Sequence, residues 1–241
     1  MSTKKVGLVT GGSRGLGEVI AAVLAAQGYN LVVGGRDLSA LDGVRHRLAA
    51  AGARVITVAG DIAEPSTRTA YIEAARELGG LDVLVNNASE LGPIGPLLDF
   101  DVPKLGRLFP VNAAAPLWLI QLAAPLLAER RGLVVNITSD AAVAGYPGWG
   151  PYGASKAALE LISRTLASEL ADRGIAVVLV DPGDMRTRMH QEAFAGQDIS
   201  DRPLPEVTAP FWNWLFGQPH SELSGQRLLA QQEDARWLQS A

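Results

Sequence analysis

Six short runs of β-branched and apolar residues punctuate this 241-residue chain, separated by longer Ala/Leu-rich segments. No other feature restricts its fold as much. The runs are Lys5–Thr10, Asn30–Gly34, Arg54–Ala59, Leu81–Asn87, Gly132–Ser139 and Ile175–Asp181. Each is nearly continuous in apolar character, which is the pattern of a strand covered on both faces. The segments between them predict helices over Gly15–Gln27, Leu38–Ala51, Pro65–Leu78, about Val102–Arg130, and Tyr152–Asp172. Gly28, Gly52, Gly79 and Gly174 fall where helices should end, because glycine takes the left-handed conformation of a C-terminal cap. Strand and helix in alternation imply a parallel sheet, and right-handed crossovers lay helices on both its faces. The expected fold class is α/β: a single doubly wound parallel sheet with helices on both faces.

No Pro-, Gly- or Ser-rich linker and no internal repeat divides the chain, so residues 1–241 are expected to form one domain. The regularity fails from Asp184 to about Pro205, which is polar and aperiodic. A long irregular insert in a compact domain is usually a binding loop or lid. A short helix around Glu206–Phe216, carrying "FWNWLF", follows it, and 184–216 as a whole is the expected substrate loop or lid. An aromatic cluster at helical spacing reads as a pocket wall or a subunit contact. "GQRLLAQ" offers a last short strand.

The charge balance, a formal net charge of -4 with no basic stripe, argues against a nucleic-acid partner. The chain has no cysteine, which excludes disulfides, thiolate zinc sites and cysteine nucleophiles. His46, His190 and His220 lie far apart without metal-ligand spacing, and no metal is expected. The first residues carry charge but no signal-like apolar run, and no stretch approaches an uncharged membrane span. A cytoplasmic location without a membrane partner is the expectation.

Chemistry enters at the end of the first strand, where "TGGSRGLG" (Thr10 to Gly17) leads directly into a helix. Gly11, Gly15 and Gly17 let the backbone turn tightly and approach a pyrophosphate, and the helix N-terminus offers its N–H groups to the anion. The spacing is G-x-x-x-G-x-G rather than G-x-G-x-x-G, and the Lys-Ser/Thr pair of a P-loop is missing. The second strand ends "VVGGRD". Dinucleotide folds place an acid there for the ribose 2′-hydroxyl of NAD, whereas arginine accommodates the 2′-phosphate of NADP. Here the position is Gly35, Arg36 follows, and Arg14 sits within the glycine turn. Two guanidiniums converging on one phosphate favour NADP(H). NAD(H) stays open through Asp37, which could bind the ribose or cap the next helix.

A second constellation is "PYGASKAAL", where Tyr152 and Lys156 stand one helical turn apart. An ammonium beside a phenol favours the phenolate and brings its proton exchange toward neutral pH. Gly153, Ala154 and Ser155 between them leave room for a cofactor and a neighbouring helix.

With "TGGSRGLG" early and "YGASK" late, the chain resembles the classical short-chain dehydrogenase/reductases over nearly its whole length. The resemblance implies a Rossmann-type domain that interconverts a carbonyl and an alcohol. Tyr152 would be its general acid/base, Lys156 would lower the Tyr152 pKa and hold the nicotinamide ribose, and Ser139 would bind the substrate oxygen. Asn112 would kink a long helix and hold a water in a relay to Lys156; Pro110 and Pro116 independently predict a bend there. The cofactor contacts it implies are Gly11, Ser13, Arg14, Gly15, Leu16, Gly17, Arg36, Asp61, Ile62, Asn87, Ala88, Tyr152, Lys156, Pro182, Gly183 and Thr187. Met189, His190 and Phe194 are expected near a small-molecule substrate from their location alone. Homodimers or homotetramers paired through the two long helices would be usual.

Three departures from the family pattern stand out. Ser89 replaces the glycine of N-N-A-G, Asp181 replaces the frequent Asn before Pro-Gly, and the C-terminal "DGG" is missing from "GQRLLAQQEDARWLQSA". A rival reading keeps the fold but makes it a non-catalytic NADP(H)-binding regulator. The presence of Ser, Tyr, Lys and Asn together argues against it.

Overall fold

A computed structural model of the chain describes residues 4–232. Seven strands form one sheet: β1 (Val6–Val9), β2 (Asn30–Gly35), β3 (Val55–Ala59), β4 (Val83–Asn86), β5 (Leu133–Ile137), β6 (Ala176–Asp181) and β7 (Arg227–Leu229). Their spatial order is β3-β2-β1-β4-β5-β6-β7, and every pairing is parallel. The order reverses direction between β1 and β4, so a crevice opens at the carboxyl ends of these two strands, where doubly wound sheets bind ligands.

Helices cover both faces. On one lie α1 (Gly15–Ala26), α2 (Leu38–Ala50) and α7 (Ala209–Gly217); on the other lie α3 (Pro65–Leu78), α4 (Ala115–Arg130) and α5 (Gly150–Glu169). Alternate strand residues feed the two cores, Val9, Leu31 and Val33 one, Leu8, Val32 and Leu84 the other. This is why the strands read as unbroken apolar runs. The four predicted terminators Gly28, Gly52, Gly79 and Gly174 all have positive φ. Two short helices, α6 (Arg188–Ala193) and α8 (His220–Leu223), complete the set.

Two expectations change. The predicted helix over Val102–Arg130 is broken into a 3-10 turn (Val102–Leu105), a π-helical turn (Pro110–Ala114) and α4. Pro110 has no N–H to donate and its ring crowds the preceding turn, so the ladder widens where the prolines predicted a bend. From Pro110 to Arg130 the helical run has 21 residues, and its most apolar 18-residue stretch has a mean hydropathy of 1.5, long and apolar enough to cross a membrane, which corrects the reading that no stretch approaches a span. Of that stretch 61% is buried inside the protein, and it packs as a core helix, with Leu119, Ile120 and Leu127 against the sheet. The second change concerns "FWNWLF". Phe211, Trp212, Leu215 and Phe216 are buried in the core beside α1, so α7 is a core helix and not a pocket wall or subunit contact. A helix apolar around most of its circumference belongs inside.

Candidate active site

At the head of β1 the chain turns through Gly11 and Gly15, both at positive φ, into α1. A Cβ on Gly17 would lie 2.4 Å from the Gly11 carbonyl oxygen and 2.5 Å from Asn87 Nδ2, so only glycine lets α1 seat this close. Asn87 fastens the turn by donating from Nδ2 to the carbonyls of Thr10 (2.9 Å) and Gly11 (3.1 Å). The Thr10 hydroxyl accepts from the N–H groups of Asn87 and Ala88, both at 3.0 Å. No side chain caps the N-terminus of α1. A backbone cradle at an uncapped helix N-terminus suits a pyrophosphate.

Beside the turn, a Cβ on Gly35 would approach Ser13 Oγ to 2.9 Å. A side chain at that position would require Ser13 to give way. Arg14 and Arg36 flank it, but each is held by its own carboxylate: Arg14 Nη2 lies 2.7 Å from Asp37 Oδ2, and Arg36 Nη1 lies 3.1 Å from Glu90 Oε1. The two guanidiniums are thus taken up by different acids. Asp37 also caps α2 by accepting from the Ala40 N–H (3.1 Å). Further along, Arg107 spans Asp61 (2.6 Å) and Glu90 (3.1 Å). Burial works against the Asp61 carboxylate, but the Ala63 N–H and the Arg107 guanidinium outweigh it and hold its pKa below the usual range. Neither Glu90 nor Arg107 was singled out by sequence, since no local signal links residues 17 and 46 positions apart.

The second constellation forms where α5 crosses the ends of β5 and β6. A Cβ on Gly153 would lie 2.4 Å from the Ala141 carbonyl, so Gly153 makes room for the segment after Ser139. Tyr152 and Lys156 are both buried, with Lys156 Nζ 5.7 Å from the Tyr152 ring. The ammonium donates to the Ile137 carbonyl at 2.9 Å, and burial pushes its pKa down to about 8. Burial also dominates Tyr152 and pushes the phenol pKa up; hydrogen bonds to Ser89 and Ser139 oppose this, while the Asp181 and Asp140 carboxylates add to it. Lys156 does not depress this pKa; desolvation prevails. Ser139 Oγ donates to Asp140 Oδ1 (2.9 Å) and accepts from the Ala141 N–H (3.2 Å).

Asn112 occupies the π-helical turn, buried, with its side chain fully used. Oδ1 accepts from Ser89 Oγ (3.1 Å) and the Glu90 N–H (2.8 Å); Nδ2 donates to the Glu90 carbonyl (2.8 Å) and Ser155 Oγ (3.0 Å). It staples the "NNAS" loop to α5. Ser89, one of the departures from the family pattern, is therefore a member of the network around Tyr152.

One cavity of about 1740 Å³ runs from the glycine turn to α6. Every predicted site residue lines it except Asn112, which lies behind its wall. Met189, His190 and Phe194 line its far end together with Ile94, Tyr146 and Trp149. The Trp149 ring stands 5.9 Å from that of Tyr152 and 6.0 Å from that of Phe194. Trp149 was legible in principle, three residues before Tyr152 at the start of α5. Of the segment 184–216, residues up to Glu206 contribute to the cavity, whereas α7 does not. The Thr187 hydroxyl caps α6 by accepting from the His190 N–H (3.2 Å). Among the described residues no group of three or more His, Asp or Glu side chains could hold a metal ion.

Comparison with known proteins agrees with this geometry. Residues 5–198 match the family model for short chain dehydrogenases. An L-xylo-3-hexulose reductase of Hypocrea jecorina is 38% identical over 235 residues, covering 85% of this chain and 74% of the relative. A putative short chain dehydrogenase of Shigella flexneri 2a, solved with NADP, superposes with a TM-score of 0.88 at 27% identity, covering 95% of this chain and 97% of that one. A 7α-hydroxysteroid dehydrogenase solved with NADH and 7-oxo glycochenodeoxycholic acid superposes with a TM-score of 0.84 at 28% identity, covering 93% and 92%. The chain belongs to the short-chain dehydrogenase family and is an oxidoreductase with a Rossmann nucleotide-binding fold.

Proposed function

We propose that this protein is an NADP(H)-dependent oxidoreductase that interconverts a ketone or aldehyde and an alcohol by hydride transfer. The observation that carries the reading is the single cavity shared by the glycine turn and the Tyr152, Ser139 and Lys156 side chains. The cradle fits a dinucleotide: Gly11 and Gly17 let the turn close tightly on Asn87 and Ala88, where a Cβ would collide, and α1 opens uncapped toward the cavity. The nicotinamide of the bound dinucleotide supplies or accepts the hydride. Tyr152 donates its proton to the carbonyl oxygen in reduction and accepts the alcohol proton in oxidation. Ser139 orients that oxygen. Lys156, one turn from Tyr152, stabilises the phenolate as it forms and holds the nicotinamide ribose. Asn112 keeps the loop bearing Ser89 against α5.

The preference for NADP(H) rests on Gly35 standing where an acid would bind a ribose hydroxyl and on two guanidiniums at the strand end. A 2′-phosphate would draw Arg14 and Arg36 from Asp37 and Glu90. Both are exposed ion pairs, which cost little to exchange. NAD(H) is the competing cofactor because Asp37 stands beside the same site, and the hydroxysteroid dehydrogenase neighbour was solved with NADH. The substrate meets an aromatic and apolar wall of Trp149, Phe194, Tyr146 and Ile94, which suits a small molecule with an apolar body. The segment 184–206 acts as the substrate lid. Trp118 and Leu122 on α4 and Leu161 on α5 are exposed apolar residues, consistent with a homodimer or homotetramer paired through these helices.

Fluorescence titration with the two reduced cofactors tests the cofactor assignment. NADPH is expected to bind at least ~10-fold tighter than NADH, and Arg36→Asp to reverse that order. Tighter binding of NADH by the wild-type protein, or an Arg36→Asp variant of unchanged preference, would contradict it.

A further inference from the structure

One of the departures from the family pattern meets a half-buried guanidinium in space. Asp181, at the end of β6, takes the place of the frequent Asn before Pro-Gly. Arg227 stands beside it in β7. Arg227 Nη2 donates to Asp181 Oδ2 at 2.9 Å and to the Ser139 carbonyl at 3.1 Å. Its Nε donates to Glu160 Oε1 at 2.9 Å. Glu160 is buried on α5, one turn beyond Lys156, and also accepts from Thr138 Oγ1 at 2.8 Å. Arg164 pairs with its other oxygen. The free oxygen of Asp181 accepts from the Gly183 N–H at 2.9 Å, at a glycine with φ of 72°. Gln231, just past β7, donates to the carbonyls of Pro182 (2.9 Å) and Asp184 (2.8 Å).

One guanidinium thus joins the end of β5 at Ser139, the helix that carries Tyr152 and Lys156, and the Pro182–Gly183 turn. We propose that Asp181 and Arg227 are a coupled pair of positioning residues, and that the pair sets the geometry and charge of the proton-transfer site. An Asn at 181 would have no charge to hold Arg227, and an Arg at 227 without Asp181 would face one acid fewer. Two acids, Asp181 and Glu160, balance two guanidiniums, Arg227 and Arg164. Removing one member of such a set leaves a buried charge uncompensated, which costs far more than removing both. The charged groups acting around Tyr152 are Lys156 from its own helix, Asp140 after β5 and Asp181 after β6; Arg227 offsets Asp181.

The inference rests on the oxidoreductase reading. Its test is a double-mutant cycle of Arg227→Met, Asp181→Asn and the double variant, with Arg227→Lys as the conservative control. Readouts are kcat, KM, the pH midpoint of alcohol oxidation, NADPH affinity and thermal midpoint. Arg227→Met is expected to lower kcat at least ~10-fold with a smaller change in KM, and to raise the pH midpoint by about one unit because the carboxylates then hold the Tyr152 proton. Asp181→Asn should move the midpoint the other way, and the double variant should return toward wild type. Arg227→Lys should restore part of kcat.

A merely structural brace would lower the thermal midpoint of each variant and leave the pH midpoint in place. That result, or losses that simply multiply in the double variant, would overturn the proposal. If Arg227→Met does not fold, Asp181→Asn, of nearly the same shape, decides through its own pH midpoint. A wild-type protein that turns over no carbonyl with NADPH sinks the oxidoreductase reading instead, and the coupling is then read from NADPH affinity across the same cycle.

Discussion

Lys156 places an ammonium in a buried position, where its Nζ donates to the Ile137 carbonyl. Desolvation lowers its pKa from 10.5 to about 8. The unfolded chain therefore binds more protons than the folded one between these values. Stability rises with pH across that window, and the cost, about 3 kcal/mol, is fully present below pH ~8. Lys156→Met should accordingly raise the thermal midpoint of the cofactor-free protein near neutral pH, with the gain fading toward pH ~10.5. A variant less stable than wild type at pH ~7 would show that the ammonium is better solvated than its burial implies. This residue was legible from its spacing to Tyr152 alone. Its direct effect on the phenol was not, because spacing carries no information on how deeply both groups are buried. Nor could spacing show that the Asn112 side chain is fully engaged by Ser89, Glu90 and Ser155.

At the scale of elements, glycine decides where helices can sit. Gly17 seats α1 on the first turn and Gly153 seats α5 on the segment after Ser139. Gly17→Ala would drive its Cβ to 2.4 Å from the Gly11 carbonyl, and backbone must move to admit it. The expected result is at least a ~10-fold loss of NADPH affinity by fluorescence titration, since the displaced N–H groups are those proposed to hold the pyrophosphate. An unchanged affinity would mean that the cradle is not built by this close approach. The strands and most helices were readable because their signals are local: apolar runs, a period, a terminating glycine. α7 was misjudged for a definite reason. "FWNWLF" has the composition of a binding patch, and only the packing of Phe211, Trp212 and Phe216 beside α1 reveals a core helix. The break before α4 was half legible, since Pro110 announced a bend but not a π-helical turn.

Across the whole molecule, the fold brings two distant motifs to one end of the sheet. The reversal of strand order between β1 and β4 opens the crevice, and the carboxyl ends of β5 and β6 extend it to Ser139 and Pro182. Sequence order displays the motifs one after another; the cavity joins them. The Glu160–Arg227–Asp181 network was invisible for the same reason, since its members lie 67 and 46 positions apart. The central claim is that this cavity performs proton transfer through Tyr152 alongside hydride transfer. NADPH consumption by the wild-type protein and by Tyr152→Phe, over a panel of ketones and aldehydes, tests it most directly, with NADPH affinity measured in parallel. The account predicts turnover by the wild type on at least one carbonyl and a loss of ~10²–10⁴-fold in kcat for Tyr152→Phe, with NADPH affinity held within about threefold. A Tyr152→Phe variant that reduces the same carbonyl at the wild-type rate would contradict it.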